Sequence, residues 1–312
     1  MRDKIGDGAE LGPYISSDDR AVFITSEGEV IVYQGNNPSN SAAWAKVGSY
    51  YLGTPLGRRC WVQYGGDLII LTQNGAYPLS AGLQSASIDY KASLSNLIEN
   101  AFTDAARSYG SNFGWEAIVY PAQNAMLVNI PVTEGTTAKQ YVMNTITRKW
   151  CEFDSWNAET FAILNGELYF TVGTVVYKAW TGKIDNTSNI VAYGKQAFSN
   201  FGTSMPKDVT MYRPVLAVDG PISFLTDIDV DFGDDPVVGT ATYTVNSGAI
   251  WDTSVWDNAF WSAGLQITKE WTSPNEWNGV WISGKIKVAT NSLTVQWISS
   301  DYIYQPADNP LG

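Results

Sequence analysis

The chain has 312 residues, 45% apolar and 16% charged, with 31 Asp and Glu against 19 Lys and Arg and a net charge of −12. That balance excludes a disordered chain and argues against a surface that grips nucleic-acid phosphate with clustered cations. The absence of histidine removes every Ser-His or Cys-His nucleophile pair and every His-ligated zinc or iron site, leaving acid–base work to carboxylates, Lys or Tyr.

The amino terminus, from Met1 to Asp7, carries no apolar signal region, and no run approaches the roughly 20 apolar residues that span a bilayer, so neither secretion nor membrane insertion is expected. Thirteen Trp, 17 Tyr and 28 Gly favour strands and turns over helices. Strand-turn-strand units recur. Ala21 to Thr25 turns at Ser26-Glu27-Gly28 into Glu29 to Tyr33. Asp67 to Leu71 turns at Asn74-Gly75 into Ala76 to Leu79, and Glu116 to Tyr120 turns at Gln123-Asn124 into Met126 to Ile130. Glu167 to Phe170 turns at Gly173 into Val175 to Tyr177, and Val215 to Val218 turns at Asp219-Gly220 into Ile222 to Leu225. Each turn carries Gly or Asn, which tolerate positive φ, between β-branched or aromatic runs. Additional strands are expected at Trp44 to Val47, at Tyr141 to Asn144 and at Trp150 to Phe153.

The five turns lie about 48 residues apart, the size of a four-stranded propeller blade. The expected fold is therefore all-β and β-propeller-like, with about five hairpin or blade units over residues 1–233. One amphipathic helix is inserted, from Leu94 to Ser108, with Leu94, Leu97, Ile98, Ala101, Phe102 and Ala105 on one face, Ser93 as N-cap and Gly110 as the stop. Residues 234–312 form a second, Trp-rich β segment, packed on the same domain or completing it. There Trp251, Trp256 and Trp261 recur every five residues, a period that is neither helical nor extended and that suggests stacked indoles. Two strands, Gly284 to Ala289 and Ser292 to Ile298, close the chain.

Candidate sites are sparse. Asp227, Asp229 and Asp231 have the spacing of oxygen ligands for a hard cation. The alternation with Ile228, Val230 and Phe232 reads instead as an edge strand with apolar side chains in and carboxylates out. Arg58-Arg59 and Arg148-Lys149 read as solvated turn charges, and Cys60 and Cys151 as two buried free thiols. The tryptophan cluster is packing or a sugar-stacking platform. No catalytic residue, cofactor or phosphate-binding loop is expected, and no carboxylate pair for glycoside cleavage can be nominated.

Several stretches together resemble one family: Val32-Tyr33-Gln34-Gly35 with Trp44 to Gly48, Gly57 to Cys60 with Gly65 to Leu68, Arg107 to Trp115, Tyr141 to Thr145 with Trp150-Cys151, Glu167 to Phe170, and the closing Trp251-Asp252, Trp256-Asp257 and Trp261. From about residue 20 onward the chain is similar to the tail-hub or nozzle proteins of short-tailed bacteriophages, also called packaged-DNA stabilisation proteins. The resemblance implies a non-enzymatic virion subunit, assembled in the host cytoplasm as a homo-oligomeric ring below the portal. Its partners would be the portal or adaptor and other tail proteins, with DNA only as passing cargo that an acidic lumen lets slide. Such subunits are usually longer, so the chain is expected to be a short homologue or the C-terminal part of one. The expected contact segments are the loop Gly35, Asn36, Asn37 and Pro38, the pair Arg58 and Arg59, and Trp251, Trp256 and Trp261. The alternatives left open are a carbohydrate-binding propeller and a glycoside hydrolase.

Overall fold

A computed structural model describes residues 10–16, 20–84, 90–220, 222–241, 266–268, 270–274 and 278–307. It is mostly β, in several small antiparallel sheets with one longer helix. The chain divides into two compact units, Met1–Ala179 and Trp180–Gly312, rather than near residue 233.

Among the described residues the first unit holds four sheets, each made of strands adjacent in sequence. β1 (Glu10–Ser16), β2 (Arg20–Thr25), β3 (Glu29–Gly35) and β4 (Trp44–Tyr51) form the first, in that order. β5 (Trp61–Tyr64), β6 (Asp67–Thr72) and β7 (Gly75–Pro78) form the second, followed by the short helix α1 (Leu79–Gln84) and the longer helix α2 (Glu99–Tyr109). β8 (Glu116–Tyr120), β9 (Ala125–Thr133), β10 (Thr137–Asn144) and β11 (Trp150–Phe153) form the third. β12 (Thr160–Leu164), β13 (Glu167–Val172) and β14 (Val175–Lys178) form the fourth. The first four expected hairpins are all present. At the first, Gly28 has φ +92, a conformation that suits glycine, and its N–H donates to the carbonyl of Thr25 at 3.0 Å.

β6 shows how the sheets stack. Side chains alternate across a strand, and here both faces are buried. Leu68 and Ile70 pack with Val22, Ile24, Val30 and Val32 of the first sheet. Ile69 and Leu71 pack in the core that holds Phe102 of α2 and Met126, Val128 and Met143 of the third sheet. The fourth sheet is tied to the third by Asn129, whose Nδ2 donates at 2.9 Å to the carbonyl of Ala158, just before β12. Consecutive sheets are thus joined in chain order, the first three through shared cores and the fourth through hydrogen bonds.

The helix begins later than its apolar pattern suggests. Asn96–Ile98 is a 3₁₀ turn, and α2 runs from Glu99 with Gly110 as C-cap. Ser93 is not the N-cap. It is buried, and its hydroxyl donates to the carbonyl of Ala76 at 3.1 Å, fastening the segment to β7. Phe102, Ala105 and Ala106 face the core, whereas Leu97 is 61% exposed because it precedes the regular helix.

The second unit is a two-layer arrangement. One sheet has the order β15 (Ile190–Lys195), β20 (Ile282–Thr290), β17 (Phe224–Val230). In the other, β16 (Lys207–Val218) pairs on one side with the two-residue strands β18 (Gln266–Ile267) and β19 (Asn278–Gly279), and on the other with β21 (Val295–Pro306). The fifth expected hairpin is therefore not a hairpin. The chain does turn near Asp219-Gly220, but β16 pairs along its length with β21 while β17 pairs with β20 from Phe224↔Val288 to Val230↔Ile282. Long-range partners capture both strands, so the fifth blade unit is lost, and residues 180–233 belong with the C-terminal strands. The two closing strands are present as β20 and β21, one in each layer. Among the described residues, no helix is long and apolar enough to cross a membrane.

Candidate functional site

The three aspartates on and after β17 are the densest set of acidic groups singled out in the sequence. β17 is an edge strand, as expected, but its carboxylates do not face out: Asp227 and Asp229 are buried. The register explains the reversal. Lys195 of β15 stands opposite Lys285 of β20, and Lys285 stands opposite Asp227 of β17, so all three share one face, with Asp229 two residues further along it. Asp229 takes the ammonium of the buried Lys285 on Oδ1, and that of Lys195 lies 2.6 Å from Oδ2. The segment after β17 closes over the pair. Lys195 Nζ donates to the carbonyl of Gly233 and to Asp234, both at 2.9 Å, and Lys285 Nζ donates to the carbonyl of Asp235 at 2.6 Å. Burial by itself would raise the Asp229 carboxyl, but the two ammonium groups outweigh it and hold the carboxyl below its ordinary value.

Asp231 serves the backbone, accepting the N–H groups of Val280 and Trp281 at 2.9 Å each. Nearby, the buried Lys207 spends its ammonium on three carbonyls, those of Thr203 at 3.0 Å and of Met205 and Val280 at 2.9 Å. Burial pulls its pKa down. Among the described residues, no group of three or more Cys, Asp or Glu is placed to hold a metal ion. The aspartates are parts of an ionic and backbone framework.

Arg59 is a staple rather than a solvated turn charge. Its guanidinium pairs with Glu116 of β8 at 2.8 Å, bonds the hydroxyl of Thr160 on β12, and lies 5.4 Å from the Phe113 ring centroid. Glu116 also accepts the N–H of Phe161 at 3.2 Å. The two groups therefore join the third and fourth sheets. Arg59→Met is expected to lower the stability of the first unit by about 1–3 kcal/mol, read as a shift of the urea midpoint, because Glu116 loses its cation while half-enclosed. Arg58, Arg148 and Lys149 are exposed, as expected of turn charges.

Cys60 is buried, with its thiol pushed up to about 12 by burial, whereas Cys151 is exposed on the edge strand β11. The expectation of two buried thiols fails for Cys151, although partial burial still pushes its thiol up and its Sγ–H donates to the carbonyl of Val142 at 3.6 Å. One thiol per native chain is expected to react with a maleimide at neutral pH, and two after denaturation, counted by mass spectrometry.

No family model and no curated protein matches this chain. Its surface is the remaining guide. The loop Gly35 to Pro38 leaves β3, with Asn36, Asn37 and Pro38 exposed, where a partner can reach it. Trp251, Trp256 and Trp261 lie outside the described residues. Two apolar edges escaped sequence reading. β14 exposes Val175 and Val176, the latter by 64%. β15 exposes Ile190, Val191 and Tyr193, the last two by 55% and 53%. Both are edge strands. The run Ile190-Val191-Ala192-Tyr193 is itself a strand signal, β-branched and aromatic, but no Asn-Gly or similar turn sits beside it to draw attention.

Proposed function

We propose that this protein is a non-enzymatic structural subunit of a virion, a hub or nozzle component of a short-tailed phage, whose first unit is a propeller-like stack of blades. One observation carries the reading: in the first unit, strands adjacent in sequence form each sheet, the first three sheets share cores with β6 buried on both sides, and polar bonds tie the fourth to the third. That is the organisation a radial repeat requires. The sequence resemblance supplies the hub assignment. The apolar edges at β14 and β15 support assembly, because a lone subunit ordinarily protects such edges with charge, Pro or a bulge. The buried Lys207 and Lys285 and the half-buried Lys195 are committed to the fold, Lys207 on carbonyls and the other two on Asp229. In this reading the ring forms through edges and loops, meets the portal on one side, and passes DNA along a lumen of its own charge sign.

Sedimentation velocity of the purified chain is expected to show a closed oligomer, and Val191→Lys with Val176→Lys is expected to shift it to monomer without unfolding. A wild-type chain that stays monomeric at every concentration overturns the assembly reading. On virions of the phage that encodes the chain, an antibody to it is expected to mark the portal vertex. Label elsewhere on the particle overturns the hub assignment.

A further inference from the structure

The second unit carries an open groove between its two layers, lined by Gln196, Ser199, Phe201, Asp301, Tyr302 and Tyr304, with a volume of about 710 Å³. That is the size of sites that hold small organic ligands. We propose that this groove binds a neutral oligosaccharide. The proposal goes beyond the assembly reading and does not depend on it.

Three aromatic rings contribute to the lining. Phe201 stacks on Tyr304 with centroids 5.4 Å apart and planes 21° apart, and Phe201 also lies 5.1 Å from Tyr302. Behind them Tyr302 packs on the buried Tyr212 at 5.1 Å. A pyranose ring presents one face of C–H groups to such surfaces and a rim of hydroxyls to polar neighbours. The polar neighbours are present and have capacity left. Gln196 accepts the Tyr302 hydroxyl on Oε1 at 2.6 Å, and its amide N–H groups bond no described residue. Ser199 Oγ accepts the N–H of Phe201 at 3.1 Å and keeps its own O–H to donate. Asp301 takes the Arg213 guanidinium on Oδ2 alone, leaving Oδ1 as an acceptor. Amide donors, a hydroxyl and one carboxylate oxygen around aromatic rings match a ligand that is both flat-faced and hydroxylated.

Charge excludes the main competitors. Among the described residues, no Lys or Arg lines the groove, and Arg213 is occupied between Asp301 and the Trp271 ring, 4.4 Å from its centroid. The chain's net charge is −12. A phosphorylated or acidic ligand would meet the Asp301 carboxylate, with Arg213 already committed to it and, among the described residues, no Lys or Arg in the lining.

The groove is also preformed. Gly284 lies under the rings, where a Cβ would stand 2.5 Å from the Tyr302 hydroxyl and 2.6 Å from the Tyr212 ring, so only glycine lets them sink to this depth. Phe201 holds φ +50, an uncommon value for an aromatic residue, in the turn that aims its ring at Tyr304. Aromatic walls fixed in advance reduce the ordering cost of binding.

The test is calorimetric titration of the full chain with maltohexaose, cellohexaose and chitohexaose. At least one is expected to bind with a dissociation constant in the millimolar range or tighter. Tyr304 is 41% exposed, so Tyr304→Ala is expected to melt as the wild type does and to bind about tenfold more weakly, whereas Tyr304→Phe, which keeps the ring, stays within about twofold. Amide shift changes in the wild-type chain on adding the same sugar are expected to centre on residues 196–201 and 300–304, a readout that needs no variant. No binding of any of the three sugars overturns the proposal. So does full affinity in Tyr304→Ala, or shift changes centred elsewhere.

Discussion

Asp229→Ala is expected to destabilise the second unit by about 3–5 kcal/mol, the largest loss among single substitutions of its charged residues. The magnitude follows from what is left behind: Lys285, only 1% exposed, would lose its paired carboxylate and keep only the carbonyl of Asp235 on its ammonium. Lys195 is less affected, since it retains Asp234 and the carbonyl of Gly233. Urea unfolding followed by circular dichroism measures the loss. The same pair predicts a pH signature. The Asp229 carboxyl sits below its ordinary 3.8 in the folded chain. Its contribution is therefore fully present above that value and is lost as pH falls through the lower, folded value. Wild-type stability should fall on acidification through this range, and the Asp229→Ala variant should lack that component. If Asp229→Ala unfolds at the wild-type urea midpoint, the ion pair contributes nothing and the account is wrong.

Trp115→Ala is expected to cost the first unit about 3–5 kcal/mol. Among the described residues Trp115 is the largest fully buried side chain, 1% exposed, in the core shared by α2 and the second and third sheets. Its ring lies 6.1 Å from that of Phe102, and its Nε1 donates to the carbonyl of Tyr109 at 2.9 Å, closing the end of the helix onto the sheet. Truncation removes apolar area, opens a cavity and removes one of the two donors to that carbonyl, which keeps the N–H of Asn112 at 3.0 Å. Trp115→Phe restores most of the volume but not the hydrogen bond, so it should lose about 1–2 kcal/mol. Circular dichroism in urea separates the two. Equal midpoints for both variants would show that volume does not govern this site.

Local pattern made most of the first unit legible. Each of its hairpins has a turn residue suited to positive φ or an Asx bond, set between runs that alternate or are wholly apolar: Gly28, Asn124 and Gly173 all take positive φ. Such hairpins need only neighbours in the chain, so a reader of one sequence can place them. The helix was legible in its apolar face but not in its start. The Ser93 hydroxyl goes to Ala76, and no periodicity reports a bond across 17 residues.

The failures share a cause. Val215 to Leu225 looks like a hairpin, yet β16 bonds the distant β21, with Val218 opposite Val295, and β17 bonds β20. Asp227 and Asp229 look exposed because an isolated strand in water would turn its carboxylates outward. They are buried because Lys195 and Lys285, from two distant segments, arrive on the same face. Arg59 looks like a turn charge until Glu116 and Thr160 are brought to it. The groove in the second unit was not legible at all, since residues 196–201 and 300–304 meet only when the two layers stack.

Composition and short-range alternation were enough for a β-rich chain, its turns and the want of any histidine chemistry, because backbone torsion and side-chain period are local properties. Strand partners, buried ion pairs and the aromatic groove were settled by folding, because each depends on contacts between segments whose separation in sequence carries no signal of their distance in space.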